Sequence, residues 1–278
     1  MRRGLVLALL LAIALSVPSA GATNTSFRIA EFRFVDTSRT AHFANGRVAP
    51  RGLVTYVRIP SGRGPFPLVV FGHGFASTPA LYAVLLDAWA CAGFIVAAPL
   101  FPVENAEAPG GPDERDIVNQ PGDLSFVISR LLRMPSLHIA PGEIAVAGQS
   151  DGAEAAYAVA EESHYRDARV RAAVVLSGAE LGGGTPIAGP PLLAVQGTRD
   201  RINPPRYSTQ LYDASHRPKF LLWLLGSGHI APYTTRDAAF SVVSRVTVAF
   251  LDHYLKRAPL AAVFTAAKAP NARLRFSR

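Results

Sequence analysis

Ile144-Ala-Val-Ala-Gly-Gln-Ser-Asp-Gly152 decides the fold of this chain. Ile144 to Ala147 are apolar and read as a buried strand. Gly148-Gln-Ser-Asp-Gly152 fits the G-x-S-x-G elbow, and Ala153 to Glu162 is rich in helix formers. Strand, sharp turn and helix together give the motif its meaning. A serine at the tip of such a turn has a strained backbone, and a side chain at position 148 or 152 would strike the chain passing beside it. The turn lifts the Ser150 hydroxyl out of the sheet. The helix behind it directs amide N–H groups toward any negative charge that develops there.

Outward from the elbow the texture is that of an α/β protein. On the N-terminal side, Phe27 to Val35 alternates as an edge strand, with Gly52 to Ile59 as its antiparallel partner. Leu68 to Phe71 and Phe94 to Leu100 read as buried strands, Ala80 to Ala92 and Asp123 to Met134 as helices. On the C-terminal side, Val170 to Leu176, Leu192 to Val195 and Phe220 to Leu225 read as strands. Pro204 to Ala214 and Ala238 to Leu255 read as helices. Apolar strands alternating with helices predict a mainly parallel, twisted sheet covered on both faces, with an antiparallel N-terminal edge. The tail after Lys256 shows no clear pattern.

Composition sets the bounds. The 278 residues, 49% hydrophobic and 17% charged, are ample for one large core, and no repeat period appears. Arg2 and Arg3, the apolar run from Leu5 to Val17 and Ala20-Gly-Ala22 read as a secretory signal peptide over residues 1–22, cut after Ala22. A single domain over residues 23–278 is expected to follow. The apolar run is too short for a comfortable membrane span, and no later segment replaces it. The single cysteine, Cys91, excludes an internal disulfide. The net charge of +8 comes from scattered arginines without a nucleic-acid motif, so the chain reads as a basic, soluble monomer rather than a nucleic-acid binder.

In an open parallel sheet, reactive groups gather at the carboxyl ends of the strands. Leu192-Leu-Ala-Val-Gln-Gly-Thr-Arg-Asp200 is a strand running into Asp200, and Leu224-Leu-Gly-Ser-Gly-His229 a strand running into His229. Ser150 needs a base to take its proton, a histidine such as His229 is the side chain suited to accept and return it, and Asp200 would orient the imidazole and stabilise its charged form. Glu180, after the strand ending near Leu176, is the rival acid and a candidate substrate contact. Asp151 adjoins the nucleophile and points away from a triad. His42, His138, His164, His216 and His253 lack a strand-end position. Gly72-His-Gly-Phe75 follows the first parallel strand, where a second oxyanion donor belongs. The donors are therefore assigned to the amides of Phe75 and Asp151, with His73 bracing the loop and also a candidate substrate contact. The acidic residues of the long 101–122 loop (Glu104, Glu107, Asp113, Glu114, Asp116) match no metal-ligand spacing and read as a solvated, substrate-side loop. No metal and no cofactor are expected. Asn24-Thr-Ser26 is a formal glycosylation sequon.

From about Gly64 to Leu255 the chain resembles the α/β-hydrolases of the dienelactone-hydrolase/chlorophyllase-like branch. That branch adjoins the secreted bacterial cutinase and polyester hydrolases and the platelet-activating-factor acetylhydrolases. Phe71-Gly-His-Gly-Phe75, Gly148-Gln-Ser-Asp-Gly152, Gly197-Thr-Arg-Asp-Arg-Ile-Asn-Pro204 and Gly226-Ser-Gly-His-Ile-Ala-Pro232 carry the likeness. It implies Ser150, Asp200 and His229 as the triad and Phe75 with Asp151 as the oxyanion hole. Polyester hydrolases carry Met where this chain has Asp151, and Trp where it has the Gly178–Gly184 stretch. Dienelactone hydrolases proper carry Cys where it has Ser150. The expectation is a secreted serine hydrolase of small-molecule or polymeric carboxylic esters. Two alternatives stand beside it: acyl transfer to a cell-envelope alcohol, and a silent binding protein that kept the fold.

Overall fold

A computed structural model describes residues 25–182 and 186–278. The signal-peptide reading, Asn24 of the sequon and residues 183–185 lie outside them. The chain forms β1 (Phe27–His42), β2 (Val48–Pro60), β3 (Phe66–Gly72), α1 (Ala83–Cys91) and β4 (Ile95–Pro99). Next come α2 (Gln120–Leu132), β5 (Ile139–Gln149), α3 (Asp151–Glu161), β6 (Val170–Leu176) and β7 (Leu192–Gly197). The rest is α4 (Pro205–Ala214), β8 (Lys219–Leu224), α5 (Ala231–Thr234), α6 (Ala238–Lys256), α7 (Ala261–Ala266) and β9 (Ala272–Ser277).

These strands form a nine-stranded sheet in the order β1-β2-β4-β3-β5-β6-β7-β8-β9. β4, β3 and β5 to β8 run parallel, and their near-continuous Val, Leu and Ala are buried because helices cover both faces. On one face Trp89 of α1 and Phe250 of α6 head a core, and the Trp89 indole donates to Thr247 across it at 2.9 Å. On the other, Leu124 and Val127 of α2 pack with Tyr157 of α3. This is the α/β-hydrolase architecture that the sequence leads one to expect, antiparallel N-terminal edge included.

Three departures have physical causes. β1 runs past Val35 to His42, over a register shift where Asp36 is tied down by Ser38 and Arg39. The unpatterned tail supplies α7 and β9, and β9 closes the far edge as an antiparallel partner of β8. The 101–122 loop is solvated only in part, with Glu107 and Glu114 exposed. Glu104, Asn105 and Asp116 are all buried, and a 3₁₀ turn over Glu114–Asn119 leads into α2. Among the described residues no helix is long and apolar enough to cross a membrane.

Candidate active site

β5 ends at Gln149, and Ser150 turns the chain into α3 with φ +55° and ψ −124°, a conformation that costs an L-residue energy. The glycines explain how the turn fits. A Cβ on Gly148 would lie 2.0 Å from the Gly152 carbonyl oxygen, and one on Gly152 would lie 2.2 Å from that of Gly72. Only bare backbone lets β3, β5 and α3 approach this closely.

Asp200 follows β7 and His229 follows β8, and both reach Ser150. His229 Nδ1 lies 2.7 Å from Asp200 Oδ2, and His229 Nε2 lies 3.0 Å from Ser150 Oγ. The side chains are nearly closed to solvent, Ser150 at 8% and Asp200 at 4% exposure. Asp200 divides its oxygens. Oδ1 accepts the N–H groups of Ile202 and Asn203, which makes the turn into α4, while Oδ2 takes His229 and the Gln196 amide. Burial pushes the Asp200 carboxyl up, but the hydrogen bond and charge of His229, helped by the Asn203 N–H, hold it below the usual range.

Gln149, the variable residue of the elbow, has a role that its position in the motif does not announce. Its Nε2 lies 3.1 Å from His229 Nε2 and donates to the His229 carbonyl at 3.1 Å. An amide nitrogen can only donate, so His229 Nε2 is the acceptor and Nδ1 carries the proton. That is the tautomer a base for Ser150 requires. The Tyr82 hydroxyl fixes the amide by donating to Gln149 Oε1 at 2.6 Å, and itself accepts the Gly74 N–H at 3.3 Å. A 3₁₀ turn at Pro79–Tyr82 brings Tyr82 there. An aromatic eight residues past Gly74 leaves no local trace of this in the sequence.

The Gly72–Phe75 loop faces the elbow, and a Cβ on Gly74 would lie 2.9 Å from Gln149 Oε1 and 3.1 Å from Ser150 Cβ. Neither the Phe75 nor the Asp151 N–H makes a hydrogen bond among the described residues. His73 is wholly buried, so it is no substrate contact but a brace. Its Nε2 accepts the Phe101 N–H at 3.0 Å and its Nδ1 donates to the Gly74 carbonyl at 2.9 Å. Burial lowers the imidazole to about 4, against the upward pull of the Gly74 carbonyl and the Asp151 charge, and keeps it neutral. Phe75 is 41% exposed.

Glu180 is exposed on the loop after β6 and makes no contact with His229. It lines a cleft of about 620 Å³ with Glu154, Tyr207 and Gln210. A second cleft, about 350 Å³, lies between Tyr56, Pro79 and Leu100 and holds none of Ser150, Asp200 and His229. Asp151 Oδ1 lies 3.3 Å from Ser150 Oγ, a neighbour that sequence reasoning did not foresee. Among the described residues no group of three His, Cys, Asp or Glu is placed to hold a metal ion.

The family model for chlorophyllase matches residues 24–189, more than half of the chain. Among curated proteins none matches the sequence. A ferulic acid esterase from Streptomyces cinnamoneus superposes with a TM-score of 0.72 at 22% identity, over 94% of this chain and 98% of that one. At that identity the likeness is one of fold. The elbow and the Gly72–Phe75 loop both fall inside the span matched to the family, and with them the chain belongs to the chlorophyllase family of α/β-hydrolases, as a carboxylic ester hydrolase.

Proposed function

We propose that the chain hydrolyses carboxylic esters through a Ser150–His229–Asp200 triad and an acyl-enzyme. The hydrogen-bonded row of 2.7 Å and 3.0 Å from Asp200 through His229 to Ser150 carries this reading. Ser150 Oγ attacks the ester carbonyl as His229 Nε2 takes its proton. The carbonyl oxygen becomes an oxyanion against the free N–H groups of Phe75 and Asp151. His229 returns the proton to the departing alcohol. Water, deprotonated in turn by His229, attacks the acyl-enzyme and releases the acid and Ser150. Asp200 keeps the imidazole in the required tautomer and stabilises it when charged. The exposed Phe75 ring offers a face to the acyl group, and Glu180 borders the cleft on the α3 side, open to either a small or a polymeric ester.

Ser150→Ala should lower turnover by about 10⁶ and Asp200→Asn by about 10⁴, whereas Glu180→Gln should not lower it on that scale. Nitrophenyl esters of graded acyl length, with a ferulate ester beside them, would measure all three and rank the acyl preference. An Asp200→Asn variant that keeps its rate while Glu180→Gln loses it would overturn the acid assignment. Arg2, Arg3 and the run to Val17 support export of the chain. A mature protein whose first residue is Thr23, read by N-terminal sequencing, is the expected result.

A further inference from the structure

Glu104 has no place in the mechanism above, yet it is completely buried. Its Oε1 and Oε2 find no donor among the described residues, and neither does Asp151 Oδ2. The two carboxyl groups lie within hydrogen-bonding reach of each other. Two ionised carboxylates cannot rest there without water or a cation between them. One proton shared between them gives one oxygen of each carboxyl a partner, leaves a single negative charge, and makes Glu104 the donor. Glu104 also touches the other side of the site, because its main-chain carbonyl accepts the Ala76 N–H at 3.0 Å. Ala76 immediately follows Phe75 and holds a left-handed φ of +50°, which needs an external tie.

We propose that Glu104 is a positioning residue that holds the two halves of the oxyanion hole in register: its carbonyl ties down the Phe75 loop, and its protonated carboxyl hydrogen-bonds the Asp151 side chain beside Ser150. The inference rests on the oxyanion-hole reading given above. Its chemical value is twofold. A second negative charge at this place would oppose the oxyanion that forms on the Asp151 amide. The donated proton also draws charge away from Asp151 Oδ1, which lies 3.3 Å from Ser150 Oγ and competes with His229 for the hydroxyl proton. Burial is the main reason that Glu104 keeps its proton, pushed up to about 11, with the hydrogen bond and charge of Asp151 next and the charges of Asp116 and Glu114 after them. The other titratable groups around the pair are Tyr82, the neutral His73 and Glu154, each of which feels the Asp151 charge.

The test compares Glu104→Leu, which removes the donor, with Glu104→Gln, which keeps one, using a nitrophenyl ester and each variant's melting curve. Glu104→Leu should lower kcat by about 10-fold to 10²-fold, short of the 10²–10³ of a lost oxyanion donor, with KM little changed. Glu104→Gln should recover most of the rate. In an Asp151→Ala background, which retains the backbone N–H, Glu104→Leu should cost little more. A Leu variant as fast as the parent, a Gln variant as slow as Leu, or the full loss persisting without the Asp151 side chain would each overturn the proposal. If Leu does not fold, Glu104→Met, which also lacks a donor, takes its place in both backgrounds: a loss that Asp151→Ala abolishes supports the role, and a parental rate or a loss that Asp151→Ala does not abolish refutes it. Labelling by a fluorophosphonate separates the two levels. An unlabelled Ser150 in the parent sinks the nucleophile itself, while a labelled one with unchanged Glu104 variants sinks only the positioning role.

Discussion

Glu104 and Asp116 stand on the same loop and both are buried, but they are buried for opposite ends. Asp116 meets Arg51, itself fully buried, through two hydrogen bonds of 3.0 and 2.6 Å. The same guanidinium grips Asp123 at 2.6 Å twice over, and Arg39 adds a contact to Asp123 at 2.9 Å. Burial opposes the Arg51 charge, yet Asp123 and then Asp116 outweigh it and hold the guanidinium more firmly protonated than usual. Every charge here has its opposite, and the result is a strut from β2 to the start of α2. Glu104 instead faces another carboxyl, so it keeps a proton. The partner that burial supplies, rather than burial alone, decides whether an acid becomes a fastening or a proton donor.

Breaking the strut should have the largest effect on stability. Arg51→Met leaves Asp116 buried without its cation and Asp123 with Arg39 alone, and should cost about 3–5 kcal/mol in urea unfolding. Turnover per folded molecule should stay close to that of the parent. Replacing both aspartates by Leu in the same chain should restore much of the loss, and failure to do so would count against the strut.

The Glu104 end answers to pH. Its folded value near 11 lies above the ordinary 4.5, so between these limits the native state holds a proton that the unfolded chain has released. Stability from this group is therefore greatest at low pH and is lost as pH rises, by at most about 1.4 kcal/mol per unit. Urea midpoints from pH 6 to 9 should fall more steeply for the parent than for Glu104→Gln. Parallel lines would mean that Glu104 is ionised in the native state.

Between the two lies Asp113, whose pair with Arg115 is out in solvent, the arginine side chain 90% exposed. Arg115→Ala should leave the unfolding midpoint where it is, the smallest effect of the series and a check that burial makes the difference.

Much of this was legible in the sequence because it was local. Gly148 and Gly152 are where the backbone crosses at van der Waals limits, and the strands into Asp200 and His229 carry their own apolar runs. The parallel sheet follows from strand and helix alternation. What escaped is what depends on distant partners. Asp116 looks like any loop acid until Arg51, 65 residues earlier, is placed over it. Gln149 reads as a free position of the motif until His229 arrives 80 residues later. β9 alternates too weakly to announce a strand, since half of its environment comes from β8.

That last strand reaches the chemistry. β9 runs along β8 from Leu224↔Ala272 to Lys219↔Ser277, and the Leu225 N–H donates to the Asn271 carbonyl just ahead of the turn to His229. Stripped of this neighbour, the sheet margin would expose a row of unsatisfied amides to any passing chain. An engineer who tethers the enzyme to a bead through residues 272–277, or trims them, should therefore see clumping and a mispositioned imidazole well before any collapse of the core.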